Sequence, residues 1–372
     1  MSQQHPSTEP VRRAPATAIV YCEGNFAETD GKTANGLVRH SERYLITAVI
    51  DSRHAGLDAG KVLDGADNGI PICADLDEAT AIATPDALIY GMAPTSGLLS
   101  PAERALMLDA MVRGMDLVNG LHEFLTEDPE FVAVAAEHGV TITDVRKPAA
   151  KRDLHMFSGR IASVTCPRIA VLGTDSAIGK RTTATILTAA LNDAGIRAVM
   201  VSTGQTGLIQ GARYGAALDA IPCQFCSGEM EHAVVEAFTH EQPDVIIIEG
   251  QGALSHPAYL SSTFILRGSQ PHAVILQHAP GRERTGAFAS TKRATPASEI
   301  ELLELFADTK VIGLTINHEN LTDAEVSAAI VAYEAELSIP ATDALTRPTD
   351  RLVEMVTKAF PTLAPRVTAA AE

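Results

Sequence analysis

PRIAVLGTDSAIGKRTTATIL, residues 167–187, decides how this chain folds. Residues 169–172 are a short apolar run that predicts a buried strand, and residues 173–179 a loop bounded by two glycines. Lys180 then opens a helical pattern with apolar positions at Ile186, Leu187, Ala190 and Leu191. A strand, a glycine loop and a helix N-terminus together make an anion site. Successive backbone N–H groups converge on one hollow, the helix adds its positive end, and Lys180 adds a full charge. The residues assigned to this cradle are Gly173, Thr174, Asp175, Ser176, Ala177, Ile178, Gly179, Lys180, Arg181, Thr182 and Thr183. Five residues separate Gly173 from Gly179, one more than in the common G-x4-G-K-[ST] pattern. Arg181 also stands where a hydroxyl normally reaches Mg²⁺, so metal binding is weakened or moved.

The rest of the chain sets bounds. With 372 residues, 46% hydrophobic side chains and no tryptophan, it has material for two α/β domains with substantial cores. The net charge is −17, from 29 basic and 46 acidic residues, which argues against nucleic acid or an anionic membrane as partner. An anionic small molecule would need a local basic pocket in an acidic body. No apolar run reaches membrane-spanning length, and MSQQHPSTEPVRRAP lacks the hydrophobic core of a secretory signal, so a cytoplasmic location is expected. Residues 1–14 are polar and expected to fray. Cys223 and Cys226 form CQFC with only His232 nearby, and read as packing or weakly reactive thiols rather than a zinc or redox site.

Strand candidates at residues 17–22, 44–50, 87–90, 116–119 and 140–145 alternate with helical stretches, which predicts a Rossmann-like parallel sheet over residues 15–148. Ser100, Pro101 and Glu103 supply an N-cap, a first-turn proline and a capping-box acid. Residues 122–138 read as a helix interrupted by Pro129. Asp51 ends a strand where dinucleotide folds carry their ribose-binding acid, but no G-x-G-x-x-G follows the first strand, so NAD is not expected. Gly31, Lys32 and Thr33 repeat a glycine-lysine-threonine after a strand. Six residues lie between Gly24 and Gly31, so the first reading is a polar loop and the second an extra anion contact. Residues 149–166, with Lys151, Arg152 and Arg160, read as a linker, and residues 167–362 as the second domain.

In that domain, strand candidates at residues 198–202, 244–248, 273–276, 310–316 and 339–343 continue the parallel pattern. TGQTGLIQGARYG, residues 203–215, reads as backbone free to approach a ligand, with Gln205, Thr206 and Arg213 offering polar contacts. Glu249 follows an apolar strand and opens EGQGALSHPAY. An acid at the carboxyl end of a buried strand beside a phosphate loop can hold Mg²⁺ or water, the plain alternative being a turn cap. His278, Arg282 and Arg284 cluster on an expected loop at the same sheet edge, where arginine forks suit carboxylates and phosphates.

With GTDSAIGKRTT, EGQG and the parallel sheet in place, the second half resembles the dethiobiotin-synthetase-like branch of P-loop proteins. The whole chain is similar to the family termed domain of unknown function 1611, through GKTANGL (31–37), GLHEFL (120–125), DVRKP (144–148), GTDSAIGKRTT (173–183), STGQTG (202–207) and EGQGALSHPAY (249–259). The resemblance implies an α/β protein of two domains, an N-terminal Rossmann-like parallel sheet and a C-terminal P-loop NTPase-like parallel sheet. Members of the family include D-glutamate N-acetyltransferases that use acetyl-CoA, so it also implies acetyl transfer to the amino group of D-glutamate or a related acidic amino acid. CoA presents a pyrophosphate and a 3′-phosphate. A backbone cradle with Lys180 can bind these without γ-phosphate chemistry, which makes Arg181 tolerable. On this reading Glu249 or His256 is the base, and the N–H groups of residues 250–252 stabilise the thioester oxygen. Gln205, Arg213, Gln251, Arg282 and Arg284 would hold the acceptor. The alternative is an ATP- and Mg²⁺-dependent ligase or carboxylase of the dethiobiotin-synthetase type, with Glu249 as metal ligand. A homo-oligomer is expected for a cytoplasmic enzyme of this size.

Overall fold

The computed structural model describes residues 15–94, 96–286 and 288–363. The fraying expected of residues 1–14 lies outside them. In the first half the order is β1 (Ala16–Tyr21), α1 (Lys32–Arg39), β2 (Tyr44–Ile50), α2 (Ala59–Asp64), β3 (Ile72–Cys73), α3 (Leu76–Ile82), β4 (Ala87–Tyr90), α4 (Pro101–Val112), β5 (Asp116–Asn119), α5 (Pro129–His138) and β6 (Ile142–Asp144). All pairings are parallel, in the order β3-β2-β1-β4-β5-β6. This is the doubly wound order whose crevice opens where the chain reverses direction across the sheet, between β1 and β4. Helices cover both faces, so Ala18, Ile19 and Val20 of β1 are all fully buried and the strand reads as one apolar run rather than an alternation.

Ser100 and Glu103 form the capping box of α4. Pro129 does not interrupt a helix but opens one. The Asp128 side chain accepts from the N–H groups of Glu130 and Phe131, and a proline costs little in a first turn where its missing N–H had no partner. Residues before it form only a short 3₁₀ turn, Leu125–Glu127.

The second half runs β7 (Arg168–Gly173), α6 (Lys180–Asp193), β8 (Ala198–Ser202), α7 (Gln205–Gln210), β9 (Tyr214–Gly215), α8 (Cys223–Glu241), β10 (Val245–Glu249), α9 (Ser261–Ser269) and β11 (Ala273–His278). A hairpin of β12 (Arg284–Thr285) and β13 (Phe288–Lys292) follows, then α10 (Pro296–Phe306), β14 (Lys310–Ile316), α11 (Asp323–Leu337), β15 (Ala341–Thr342) and α12 (Asp350–Ala359). Its parallel sheet has the order β15-β14-β11-β7-β10-β8-β9 and divides two cores. Leu172, Ile246 and Leu276 point to one, and Ile169, Val171 and Ile247 to the other. No helix among the described residues is long and apolar enough to cross a membrane.

Residues 149–166 are packed rather than loose. Glu231 on α8 accepts from the N–H groups of Ser158 at 2.7 Å and Ile161 at 3.0 Å, and Ile161 and Val164 join the second half's core. Lys151, Arg152 and Arg160 stay exposed on this segment. Cys226 is buried against the carbonyls of Leu218 and Ile221, and burial pushes its thiol up to about 11.

The polar stretch after β8 is not an open loop. Six of its residues form α7, which packs on α1 and locks the halves together. The hydroxyls of Thr33 and Thr206 meet at 2.8 Å. Gln210 donates from Nε2 to the carbonyls of Gly36 and His40 at 2.9 and 2.7 Å, and its carbonyl accepts from Glu42 and Arg43 N–H. Ile209 is buried in the first half's core. A second bridge runs from Arg146 to Asp219, 2.9 Å apart.

Candidate active site

The loop after β7 leaves the carboxyl edge of the second sheet, with β10 and β11 ending on either side at Glu249 and His278. Ala177 and Gly179 take left-handed backbone angles, with φ of 49° and 98°, which curls the loop into α6. No side chain caps that helix, so its first N–H groups are left for the hollow. Lys180 is buried, and its Nζ donates to the Asp175 carbonyl at 2.5 Å. Burial pulls its pKa down to about 7; Asp175 opposes the shift and Lys32 and Arg282 add to it.

Arg282 was expected to hold substrate, but its guanidinium is committed to the loop. It donates to the carbonyls of Ser176 and Ala177, both at 2.9 Å, and pairs with Glu319 at 2.7 Å and the buried Asp175 at 3.4 Å. His278 is not on a loop either. It ends β11 inside the protein, between the Thr174 hydroxyl at 2.8 Å and the Tyr333 hydroxyl at 3.1 Å, and burial lowers its pKa to about 3. Thr183 donates to Gln277 at 2.6 Å, and Thr182 is half-buried one residue earlier.

Arg181 turns away from the loop toward the joint between the halves. Its guanidinium donates to Gln210 Oε1 at 2.6 Å and lies so close to Gly36 that a Cβ there would sit 2.4 Å from it. Glu249 is buried and accepts from the Thr203 N–H at 3.1 Å. Burial raises its pKa, and the charge of Arg181 is the largest influence opposing that rise. The Thr183 hydroxyl is engaged with Gln277, and the Arg181 charge, from the position where the common pattern has a hydroxyl, acts on Glu249. Among the described residues no group of three or more His, Cys, Asp and Glu gathers as a metal-ligand set.

His256 is buried, stacked on Tyr259 with ring centres 4.5 Å apart and edge-on to Phe288. Its Nδ1 accepts from the Ala258 N–H at 3.2 Å, so the proton of the neutral ring resides on Nε2. That nitrogen faces Asp175 Oδ1 at 3.7 Å and has no hydrogen-bond partner among the described residues. Burial lowers its pKa. In this arrangement His256 offers a donor rather than a lone pair.

Gln205 and Gln251 lie beside the hollow, the first buried with Nε2 3.5 Å from Thr33 Oγ1, the second donating to the Thr203 carbonyl at 2.5 Å. Arg213 does not join them. It is exposed and paired with Glu241 at the far end of α8, the end that feeds the start of β10. Arg284 stands exposed on the hairpin.

Lys32 stands near the same joint between the halves. It opens α1 directly after Gly31 and is exposed. Desolvation and then Arg146 lower its pKa, against Asp219, Asp30 and Glu249. Asp51 is spent internally, accepting from the N–H groups of Gly24 at 2.8 Å and Arg53 at 3.2 Å and pairing with His54 at 2.6 Å.

Fold and site together define a two-domain P-loop protein, with a Rossmann-like domain packed against the edge from which the phosphate loop emerges. The model for the P-loop domain of the DUF1611 family, a domain of unknown function, matches residues 155–353, and that for its Rossmann-like N-terminal domain matches residues 52–148. The chain belongs to the DUF1611 family. It is 31% identical over 293 residues to a D-glutamate N-acetyltransferase of Tritonibacter scottomollicae, covering 75% of this chain and 83% of that one. A protein of the same description from a Pseudoalteromonas species is 30% identical over 272 residues, covering 71% and 79%. The crystal structure of a DUF1611 family protein from Anabaena variabilis superposes with a TM-score of 0.85 at 32% identity, covering 92% of this chain and 99% of that one.

Proposed function

We propose that the protein is an N-acetyltransferase that moves the acetyl group of acetyl-CoA to the amino group of D-glutamate or a closely related acidic amino acid. The observation that carries this reading is Arg181. The cradle keeps its anion-binding parts, Lys180 and the uncapped start of α6, while the position that would serve a metal for γ-phosphate chemistry is a guanidinium bound to Gln210, whose charge acts on Glu249. Such a site suits a diphosphate held for its tether rather than for cleavage. The two N-acetyltransferase relatives support the same choice.

The chemistry asked of the chain is modest. The acceptor's ammonium gives one proton to solvent. As its nitrogen attacks the thioester carbon, Glu249 takes a second, a role for which a buried carboxylate with a raised pKa is suited. The Nε2–H of His256 and the N–H groups of residues 250–252 are donors available to the developing oxyanion. The C–S bond then breaks, the amide forms, and the CoA sulfur carries away the proton from Glu249.

Incubating the full chain with acetyl-CoA and D-glutamate, D-aspartate, L-glutamate or D-alanine, in chelator and without nucleotide, tests this. Free thiol should appear in step with N-acetylated product, fastest with an acidic D-amino acid. No thiol release with any acidic amino acid would end the reading, and acceptor-dependent ADP formation from ATP and Mg²⁺ would support the ligase alternative.

A further inference from the structure

We infer that Lys32, contributed by the first half, binds a carboxylate of the acceptor amino acid. This rests on the acetyltransferase reading and names a residue that holds the amino-acid acceptor.

The argument begins with position. Thr33, the next residue, touches Thr206 in the first turn of α7, and α7 follows directly on the Thr203–Gly204 segment that holds Glu249. Gly207, one residue past Thr206, is so close to Glu249 that a Cβ there would come within 2.9 Å of its carboxylate. The start of α1 and the carboxylate of Glu249 thus flank the first turn of α7, across the joint between the halves. Of the charged groups packed against this spot, Arg146 is committed to Asp219 and the Gly120 carbonyl, Arg181 to Gln210, and Arg282 to the phosphate loop. Lys180 is bonded to the Asp175 carbonyl. Among the described residues Lys32 Nζ has neither a hydrogen bond nor an ion pair within 4 Å, although Asp219, Asp30 and Glu249 act on it from a distance. An accessible, uncommitted ammonium in a protein of net charge −17 has a free coordination shell to offer an anion.

Chemistry then selects the anion. Lys180 stands in the phosphate loop, on the carrier's side. Lys32 stands at the start of α1, whose next residue packs on the α7 turn that lies against Glu249, the group assigned to the acceptor's amine. In an α-amino acid the carboxylate is two bonds from that amine, so a cation across the first turn of α7 from the base is in reach of the acceptor's carboxylate.

Lys32→Met and Lys32→Arg in the full chain test this. With Lys32→Met, KM for D-glutamate should rise about ten- to a hundredfold, the loss expected for a charge-assisted hydrogen bond. The kcat should change less than about threefold, and calorimetry should find the acetyl-CoA Kd within about twofold of wild type. Lys32→Arg, which keeps the charge, should recover most of the KM loss. The variant's preference for D-glutamate over an amine without carboxylates should shrink by a similar factor. An unchanged KM for D-glutamate in an active Lys32→Met protein would overturn the assignment alone. Weaker acetyl-CoA binding with acceptor KM unchanged would overturn it in favour of a contact to a CoA phosphate. Absence of thiol release by the wild type would sink the functional reading, and this inference with it.

Discussion

In the first half β1 runs into a loop that ends at Gly31 and Lys32, and Asp51 follows the end of the neighbouring strand β2. In the second, β7 runs into a loop that ends at Gly179 and Lys180, and Glu249 closes the neighbouring strand β10. The sequence devices are alike, yet the bonding is reversed. Asp51 is saturated by two backbone N–H groups and His54, whereas Glu249 has one backbone donor and a buried arginine charge acting on it. Lys180 is bonded to its own loop, and Lys32 is uncommitted. A strand-end acid is architectural when its own loop fills its lone pairs, and chemical when burial leaves it short of donors.

Breaking either side of this contrast should give opposite phenotypes. Glu249→Gln should lower kcat by about 10²–10⁴, the range for loss of a general base, with circular dichroism showing an intact fold. Asp51→Ala strands three donors and should cost about 2–4 kcal/mol in denaturant unfolding, while the rate per folded molecule stays within about twofold. A folded but inactive Asp51→Ala protein would collapse the distinction.

The pH dependence of binding sharpens it. Burial holds the Lys180 ammonium at about 7 in the free protein, and a diphosphate beside it favours the charged form. Binding therefore takes up a proton at alkaline pH. Affinity for acetyl-CoA should be set by the charged form below about pH 6, then fall by up to about tenfold per unit above pH 7. Calorimetry in buffers of different ionisation heat reads the proton uptake, and affinity constant from about pH 7 to 9 would contradict it. The smallest effect belongs to Arg213→Ala. Its exposed pair with Glu241 should be worth less than about 0.5 kcal/mol, with turnover unchanged within about twofold.

Much of this was legible from the chain alone, because buried parallel strands write themselves as apolar runs. Residues 44–50, 87–90, 116–119, 198–202 and 310–316 fold as strands over the spans expected. The phosphate loop followed from its glycines and Lys180. What failed depended on partners distant in sequence. Gly204, Gly207 and Gly211 read as backbone free to approach a ligand, and Gly207 is taken up by close packing in α7, since a Cβ there would clash with Ser202 Oγ. Arg282 looked available for substrate because the carbonyls it braces come from Ser176 and Ala177, more than a hundred residues earlier. His278 looked like a loop residue because Gln277 ends the apolar run, but Thr183 and Thr315 satisfy that glutamine inside the sheet.

Ile209 belongs to the second half by chain and to the first by packing. Severing the polypeptide between the sheets would leave one product with an oily peg and the other with a socket to fill. Exchange of gene fragments usually trades units whose surfaces are already sealed. Here it finds no clean seam, and the two halves are bound to travel through descent as a single heritable piece.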